Sequence, residues 1–288
     1  MSKTLEDYLK ESLRKGSLQS YLHNISNYRK ANSNADKYLY RDIMNYMELL
    51  RKEYRSKTVK IKLAAIKKYY DYLMENGKRK DNPARAIKLK DVKENPIQLQ
   101  DLFTEKELQK FLEPRTERYP MLEKRNKIIM SLLVYQALRP GEMEQLKLSD
   151  VNLEKTTIQI SATGLTNSRE LPLEASQILL FYQYINQDRN GLKTFRNDEN
   201  ALLLGKLGTP FKATDLDHII NSYQKQSKKR LTTTTIRQSV ITNLLAKNND
   251  LRIVQYFAGH KSPDTTEKYR QSGLSALKTA IDKLHPLK

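Results

Sequence analysis

The apolar residues of the first quarter of the chain recur at helical spacing, and this pattern restricts the fold more than any other feature. Residues three or four positions apart lie on one side of a helix, so each such group marks a face to be buried. Four groups follow one another within residues 3–76: Leu5, Tyr8 and Leu9; Leu18, Tyr21, Leu22 and Ile25; Tyr38, Tyr40, Ile43, Tyr46, Met47 and Leu50; and Val59, Leu63, Ile66, Tyr69, Tyr70 and Leu73. We therefore predict four helices that pack as a small all-α domain.

A polar stretch with little periodicity separates this region from the rest of the chain. Gly77 and Pro83 interrupt the helical pattern, Pro96 lies further along, and regular spacing resumes only after Leu102. A chain of 288 residues is long enough for two domains. We predict an N-terminal domain over residues 1–92, a linker over residues 93–102 and a second domain over residues 103–288.

The second domain is predicted to be mostly helical, with a small β-hairpin. Thr104 and Glu107 have the spacing of a capping box and mark the start of a helix. Alternating residues in segments 156–161 and 169–173 predict two strands joined by a turn at residues 163–168. Further helices are predicted at residues 120–137, 140–146, 174–189, 213–227, 233–247, 250–258, 264–272 and 274–285. The predicted fold class is mainly α, in two domains.

The chain is strongly basic, and the positive charge is concentrated. The net charge is +19, and residues 51–90 alone hold 14 Lys and Arg against 4 Asp and Glu, a net charge of +10. Such a field favours a polyanion, and nucleic acid is the usual one. We expect double-stranded DNA as the partner, with these side chains as phosphate contacts: Lys57, Lys60, Lys67, Lys68, Lys78, Arg79 and Lys80.

The composition removes several other classes of function. The chain contains no cysteine, which excludes disulfides, thiolate metal sites and cysteine nucleophiles. His23, His218 and His285 are scattered along the chain and have no metal-ligand spacing, so we expect neither a metal nor a cofactor. The longest apolar run, residues 128–134, is far below the roughly 20 residues of a membrane span. We expect a cytoplasmic protein that does not contact membranes.

Four residues of the second domain form a set that suits attack on a phosphodiester. Arg139 and Arg237 precede or begin predicted helices, and His260 and Tyr269 lie nine residues apart near the C-terminus. An arginine fork donates two parallel hydrogen bonds to phosphate oxygens and stays charged. A histidine handles a proton or donates a further hydrogen bond. A tyrosine nucleophile stores the energy of the broken bond as a phosphotyrosine.

The order and surroundings of these residues resemble the tyrosine recombinase/integrase family. The segments that carry the resemblance are Ala-Leu-Arg139-Pro-Gly-Glu142, the strand segment Arg169-Glu-Leu-Pro-Leu173, Thr234-Thr-Ile-Arg237 and Ala-Gly-His260 followed by Tyr269. The N-terminal helices resemble, by architecture alone, the core-binding domain of that family, a SAM-like bundle. The resemblance implies a site-specific recombinase that cuts and rejoins DNA through a 3′-phosphotyrosine and a Holliday junction. In it Tyr269 is the nucleophile, Arg139, Arg237 and Thr234 bind the phosphate oxygens, and His260 assists.

The chain departs from the family pattern at two positions. The family usually carries a lysine in the hairpin turn, which protonates the leaving 5′ oxygen, whereas residues 162–169 contain no lysine. Lys155, Lys206 or Lys212 could reach in instead, or cleavage could be slow; Arg169 would be a poor acid because it hardly releases its proton. The second departure is Thr234, which stands where the family often has histidine or lysine and brings no charge.

These departures leave alternatives to a recombinase. One is an accessory or architectural DNA-binding protein with a partly degenerate active site, and another is a topoisomerase-like relaxase with the same chemistry. The C-terminal helix at residues 274–285 is amphipathic. By the family resemblance it docks on a neighbouring protomer, which gives a homo-oligomer: a dimer on one site and a tetramer in synapsis. The alternative is that this helix closes its own domain.

Overall fold

The computed structural model describes residues 3–13, 15–89, 97–192 and 200–270, and most of these are helical. The chain divides into two compact units, Met1–Asn95 and Pro96–Lys288, and each is described by itself. The division lies inside the predicted linker at residues 93–102. The C-terminal helix predicted at residues 274–285 lies outside the described residues.

The first unit contains four α-helices in its described part. They are α1 (Leu5–Ser12), α2 (Lys15–Ala31), α3 (Tyr40–Glu53) and α4 (Ser56–Glu75), with a 3-10 turn at Ala35–Lys37. Thr4 begins α1 because its side chain accepts a hydrogen bond from the backbone N–H of Asp7 at 3.2 Å. The predicted apolar faces meet in one core, with Leu9, Ile43 and Val59 fully buried. Tyr40, predicted on such a face, is exposed because it is the first residue of α3.

Tyrosines occupy an unusual share of this core, and their hydroxyl groups are paired. The hydroxyls of Tyr28 and Tyr70 lie 2.7 Å apart, and the Tyr70 hydroxyl donates to the carbonyl of Ala35 at 2.7 Å. The Tyr69 hydroxyl donates to the Asp36 carboxylate. Because a buried hydroxyl without a partner is costly, these bonds allow a tyrosine-rich core.

The second unit packs short helices around α6, the most deeply buried helix of the unit. The helices are α5 (Glu105–Lys110), α6 (Glu123–Tyr135), α7 (Pro140–Glu144), α8 (Ala175–Gln183), α9 (Arg189–Leu192), α10 (Ala213–Tyr223), α11 (Thr233–Ala246), α12 (Leu251–Ala258) and α13, residues 263–270. The predicted capping box begins α5: the Thr104 hydroxyl accepts from Glu107 N–H at 3.3 Å, and the Glu107 carboxylate accepts from Thr104 N–H at 2.7 Å. In α6 every residue from Ile128 to Val134 is buried.

A small antiparallel sheet accompanies these helices. Strands β1 (Val151–Asn152), β2 (Thr157–Ile160) and β3 (Arg169–Pro172) pair in the order β1-β2-β3, with Ile160 opposite Arg169 and Thr157 opposite Pro172. The hairpin is thus confirmed, but β1 was missed because two residues are too short to show alternation. The turn at residues 161–168 lies at one end of the hairpin, and the β1–β2 connection lies at the other.

Several predicted helices of this unit have irregular ends. A 3-10 turn at Pro120–Leu122 precedes α6, a π-helical turn at Tyr184–Asp188 joins α8 to α9, and a 3-10 turn at Gln224–Gln226 follows α10. Apolar periodicity does not distinguish these geometries, because the side chains stay on nearly the same face. Within the described ranges, no helix is long and apolar enough to cross a membrane.

Candidate active site

Arg139 lies at a sharp change of chain direction after the central helix. Helix α6 ends at Tyr135, and Ala137 has a left-handed backbone with φ of 50°. Arg139 then takes an extended conformation as the N-cap of α7, with Pro140 at the first helical position, where its missing N–H costs nothing. The side chain of Arg139 is half-buried, and its Nε has no hydrogen-bond partner among the described residues.

Arg237 is held from two sides by backbone carbonyl groups. It lies on α11 with only 5% of its surface exposed. Its Nη1 donates to the carbonyl of Ala137 and its Nη2 to the carbonyl of Ala258. Its Nε has no partner within the described part of the chain. The guanidinium is therefore fixed in orientation and keeps N–H groups for a further acceptor.

A buried ion pair connects the Arg139 turn to the β-hairpin. The carboxylate of Glu142 accepts from Arg169 Nη1 at 2.7 Å and Nη2 at 3.1 Å, and also from the backbone N–H of Arg139 at 2.8 Å. Arg169 Nε donates to the carbonyl of Phe257 at 2.7 Å. One guanidinium thus joins strand β3, the start of α7 and the end of α12. Sequence reasoning considered Arg169 only as a poor acid and missed this connection.

His260 follows directly on the glycine that ends α12. Gly259 has φ of 65°, and a Cβ at this position would lie 2.5 Å from Arg169 Nη1, so only glycine fits. The Gly259 carbonyl accepts from Asn167 N–H at 2.9 Å, and His260 forms an antiparallel bridge with Thr166. These contacts attach the His260 segment to the turn of the β2–β3 hairpin.

The imidazole of His260 is buried, oriented and neutral. It is 2% exposed, and its Nδ1 is hydrogen-bonded to the Thr266 hydroxyl at 2.8 Å. Its Nε2 has no partner among the described residues. Burial, followed by the positive charges of Arg237 and Arg139, lowers the pKa of His260 to about 3. The ring therefore carries no charge near neutral pH.

Arg139 is close enough to Arg237 to lower the pKa of Arg237. Burial and then the charge of Arg139 lower the pKa of Arg237 to about 10. A buried guanidinium with a second positive charge beside it favours an anion between the two. The site has the electrostatics of an anion-binding centre.

Tyr269 lies beside His260. Its ring, on α13, is nearly parallel to the imidazole, with an interplanar angle of 17° and 5.9 Å between the ring centroids. It also packs against a small apolar cluster of Ile241, Val254 and Ala258. The Tyr269 hydroxyl forms no hydrogen bond with any described residue. The structure thus brings Arg139, Arg237, His260 and Tyr269 together from segments up to 130 positions apart in the chain.

The remaining residues considered for the site from sequence are all exposed: Thr234, Lys155, Lys206 and Lys212. Thr234 is exposed near the start of α11, and the cap of that helix is Thr232, whose hydroxyl accepts from Thr235 N–H at 3.0 Å. Lys155 is exposed in the β1–β2 connection, at the end of the hairpin away from His260. Lys206 Nζ lies 4.0 Å from the centroid of the Tyr119 ring. Lys212 is the exposed residue before α10.

The predicted phosphate contacts of the first unit fall into two groups. The side chains of Lys57, Lys60, Lys78 and Lys80 are exposed, and Lys68 lies partly buried over the ring of Tyr8. Two other side chains of this set form hydrogen bonds within the first unit. Lys67 Nζ donates to the carbonyls of Ile87 at 2.7 Å and Arg85 at 3.2 Å.

Arg79 is the second side chain of this set that forms hydrogen bonds within the first unit. Its Nη1 donates to the carbonyls of Asp36 at 2.8 Å and Tyr38 at 2.9 Å, and its Nη2 pairs with Asp81 at 2.9 Å. Only 11% of the side chain is exposed. Among the described residues, no cluster of three or more His, Asp or Glu has the arrangement of a metal site.

Comparisons with known proteins agree with this fold. The Phage integrase family matches residues 101–274, more than half of the chain. Tyrosine recombinase XerD of Oceanobacillus iheyensis is 25% identical over 287 residues, which cover 96% of this chain and 95% of the relative. Tyrosine recombinase XerD of Listeria innocua is 28% identical over 251 residues, which cover 85% and 82%.

A solved structure has the same fold. XerH site-specific recombinase, in a pre-cleavage complex with its difH substrate, matches with a TM-score of 0.74 at 20% identity, covering 94% of this chain and 82% of that chain. The chain therefore belongs to the phage integrase family. It is a tyrosine recombinase, an enzyme that cleaves and rejoins DNA strands in site-specific recombination, and the accessory-protein alternative is not favoured.

Proposed function

We propose that Tyr269 attacks a DNA phosphodiester and that the strand is held as a 3′-phosphotyrosine until it is rejoined. The single observation that carries this proposal is the convergence of buried Arg237, half-buried Arg139, a neutral histidine and Tyr269 in one unit. The bond energy stays in the phosphotyrosine, so the reaction consumes no cofactor.

Arg139 and Arg237 are proposed to bind the two non-bridging oxygens. Both have an unpaired buried Nε–H, and Arg237 is already oriented by two carbonyls. Donors fixed before the reaction stabilise the charge that develops in the transition state, with about 3–4 kcal/mol for each donor. Thr234 is proposed to add a neutral hydrogen bond from the exposed start of α11.

His260 is proposed to handle the phenol proton. The free Nε2 is the only imidazole atom left for this role, because Nδ1 is paired with Thr266. The charges of Arg139 and Arg237 oppose a protonated ring in the free protein. A bound phosphate offsets these charges, and this allows Nε2 to take the proton as Tyr269 attacks.

The first unit is proposed to be the core-binding domain, a SAM-like four-helix bundle over residues 1–92, connected by residues 93–102 to a catalytic domain over residues 103–288. Its basic surface would bind the backbone of double-stranded DNA, with Lys57, Lys60, Lys78 and Lys80 as exposed contacts. We propose that an enzyme that recombines DNA, as this chain does, works in the cytoplasm.

The recombination reaction needs more than one copy of the chain. We propose a dimer on each site, a tetramer in synapsis and a Holliday-junction intermediate, with residues 274–285 docking on a neighbouring protomer. Removal of residues 274–288 is expected to leave binding to a single site intact and to weaken tetramers, measured by light scattering with DNA present.

The proposed chemistry is tested by trapping the covalent intermediate. Nicked duplexes from the DNA that flanks the gene let the freed fragment diffuse away, so the adduct accumulates and survives denaturation. The adduct is expected with the unaltered protein and absent with Tyr269→Phe. An adduct that persists in Tyr269→Phe would show that another residue is the nucleophile. Tight binding to a defined sequence with no adduct would support the alternative hypothesis of an accessory DNA-binding protein.

A further inference from the structure

The leaving 5′ oxygen requires a proton, and the residues described above do not supply one. An alkoxide is a poor leaving group at neutral pH, so a positioned acid is worth roughly 10²–10⁴ in rate. His260 is neutral and beside the nucleophile, and an arginine releases its proton too reluctantly to serve. A lysine is the side chain that combines positive charge with a proton it can give up.

Two of the three lysines considered from sequence are poorly placed for this role. Lys155 lies beyond the Thr157–Pro172 pair, at the end of the hairpin opposite the turn that contacts His260. The four residues of β2 separate these two ends by about 10 Å. Lys206 lies over the ring of Tyr119.

Lys261 emerges beside the hairpin turn from a different segment. The bridge between Thr166 and His260 is antiparallel, and Asn167 N–H donates to the Gly259 carbonyl at 2.9 Å in the same register. The pairing ends at this bridge, because the chain bends at Gly164 and Leu165 in one segment and at Lys261 in the other. Lys261 therefore leaves the bridge beside the turn at residues 161–168.

The turn is held in this position by its own hydrogen bonds. Thr163 N–H donates to the Thr166 carbonyl at 3.0 Å, and the two threonine hydroxyls are 2.8 Å apart. Thr163 Oγ1 also accepts from the backbone N–H groups of Leu165 and Thr166, each at 3.1 Å. Because this closed turn is hydrogen-bonded to the Gly259–His260 segment, the backbone of Lys261 has a fixed position relative to the turn.

The side chain of Lys261 is exposed to solvent next to the buried His260. His260 and Thr166 are buried, whereas Lys261 and Leu165 are exposed. Lys261 has no ion pair and no hydrogen bond of its side chain with any described residue. An exposed cation one residue from the buried imidazole faces the solvent from which a duplex must approach.

We propose that Lys261 is the general acid for strand cleavage and takes the place of the missing hairpin lysine. The Tyr269 oxygen forms a bond to phosphorus, the phosphorus–O5′ bond breaks with its electron pair on O5′, and the Lys261 ammonium gives a proton to O5′. The phenol proton passes to His260 Nε2. On rejoining, the neutral Lys261 amine takes the proton back from the attacking 5′ hydroxyl. This inference rests on the proposed function.

The test compares two leaving groups in two matched lysine variants. Lys261→Met and Lys155→Met are assayed for covalent adduct on an ordinary nicked duplex and on one whose 5′ bridging oxygen is sulfur. A thiolate leaves without a proton. We expect Lys261→Met to be 100-fold slower or worse with oxygen and close to the unaltered protein with sulfur, while Lys155→Met is unaffected on both.

Other outcomes would overturn the inference. If Lys261→Met cleaves the oxygen substrate as fast as the unaltered protein, or cleaves both substrates slowly, Lys261 is not the general acid. Slow cleavage on both is what Arg237→Lys should give, because that change weakens phosphate binding. Loss and sulfur rescue in Lys155→Met would assign the role to Lys155. If the unaltered protein forms no adduct on either duplex, the proposed function itself fails.

Discussion

Glu142 and Arg169 form a bidentate ion pair, and both side chains are completely inaccessible to solvent. Burial alone would raise the pKa of Glu142, but the hydrogen bonds and charge of Arg169 outweigh it and lower the pKa below the usual 4.5. The same carboxylate accepts from the Arg139 backbone, and Arg169 also binds the Phe257 carbonyl. The pair therefore fixes the turn before Arg139 relative to the segment that carries His260.

Arg169→Met is expected to destabilise the second unit strongly. The change leaves the Glu142 carboxylate buried and unpaired, and breaking such a pair costs about 3–5 kcal/mol in the free energy of unfolding. Urea unfolding measures this loss. Arg270→Met is the matched control, since Arg270 pairs with Glu267 at the surface and its removal should cost less than about 1 kcal/mol. Similar losses in both variants would contradict the role of the buried pair.

Gly259→Ala is expected to disturb the site far more than another glycine substitution in the same region. The added Cβ would lie 2.5 Å from Arg169 Nη1 and 3.1 Å from the Asn167 carbonyl, at a backbone φ of 65°. We expect a loss of about 2 kcal/mol or more in unfolding free energy and slower adduct formation. Gly164→Ala is the control, because a Cβ there meets nothing within 4 Å. Equal thermal stability of the two variants would count against this packing.

The elements with strong local signals were predictable, and the connections between distant segments were not. The capping box of Thr104 and Glu107, the β2–β3 hairpin and the closeness of His260 to Tyr269 all depend on short-range patterns. The Glu142–Arg169 pair joins residues 27 positions apart, and Arg237 binds the carbonyl of a residue 100 positions away. No periodicity or propensity encodes such partners, because they arise only when the chain packs.

Two side chains of the basic run have hydrogen-bond partners inside their own unit. Lys67 and Arg79 belong to a basic run, yet their side chains bind backbone carbonyls of their own unit. Carbonyls at the ends of turns need donors, and long cationic side chains supply them. Composition cannot separate a lysine that binds a carbonyl from one that is free to bind phosphate.

The stability of the protein is expected to fall as the pH drops from 6.5 toward 4.5 because of His260. Its pKa is 6.5 in the unfolded chain and about 3 in the folded protein. Between these values the unfolded state binds the proton and the folded state does not, so acid favours unfolding. Protonation of Glu142 lowers the stability only at still lower pH, because the pKa of this carboxyl in the folded protein lies below 4.5.

Urea unfolding at several pH values measures this dependence. His260→Gln is expected to flatten the curve between pH 6.5 and 4.5. His218→Gln, which changes an exposed residue of α10, should leave it unchanged. An identical slope in the unaltered protein and in His260→Gln would show that the buried imidazole is not kept neutral.

Lys60→Met and Lys67→Met are expected to differ although both lysines lie on α4. Lys60 is exposed, so its loss should weaken DNA binding and reduce the slope of log affinity against log salt by about 0.9. Lys67 holds the carbonyls of Arg85 and Ile87, so its loss should lower thermal stability and leave the salt slope unchanged. Affinity titrations at several salt concentrations and thermal melts separate the two, and a reduced slope in Lys67→Met would reverse their assignment.

The carbonyls that hold Arg237 belong to residues 137 and 258, on either side of it in the chain. Arg237 is synthesised before the residue that carries the second carbonyl, and Tyr269 is added later still. A chain that ends before residue 258 lacks one of the two carbonyls that hold this guanidinium, and it also lacks Tyr269. On the proposed mechanism, such a fragment binds DNA without being able to cut it.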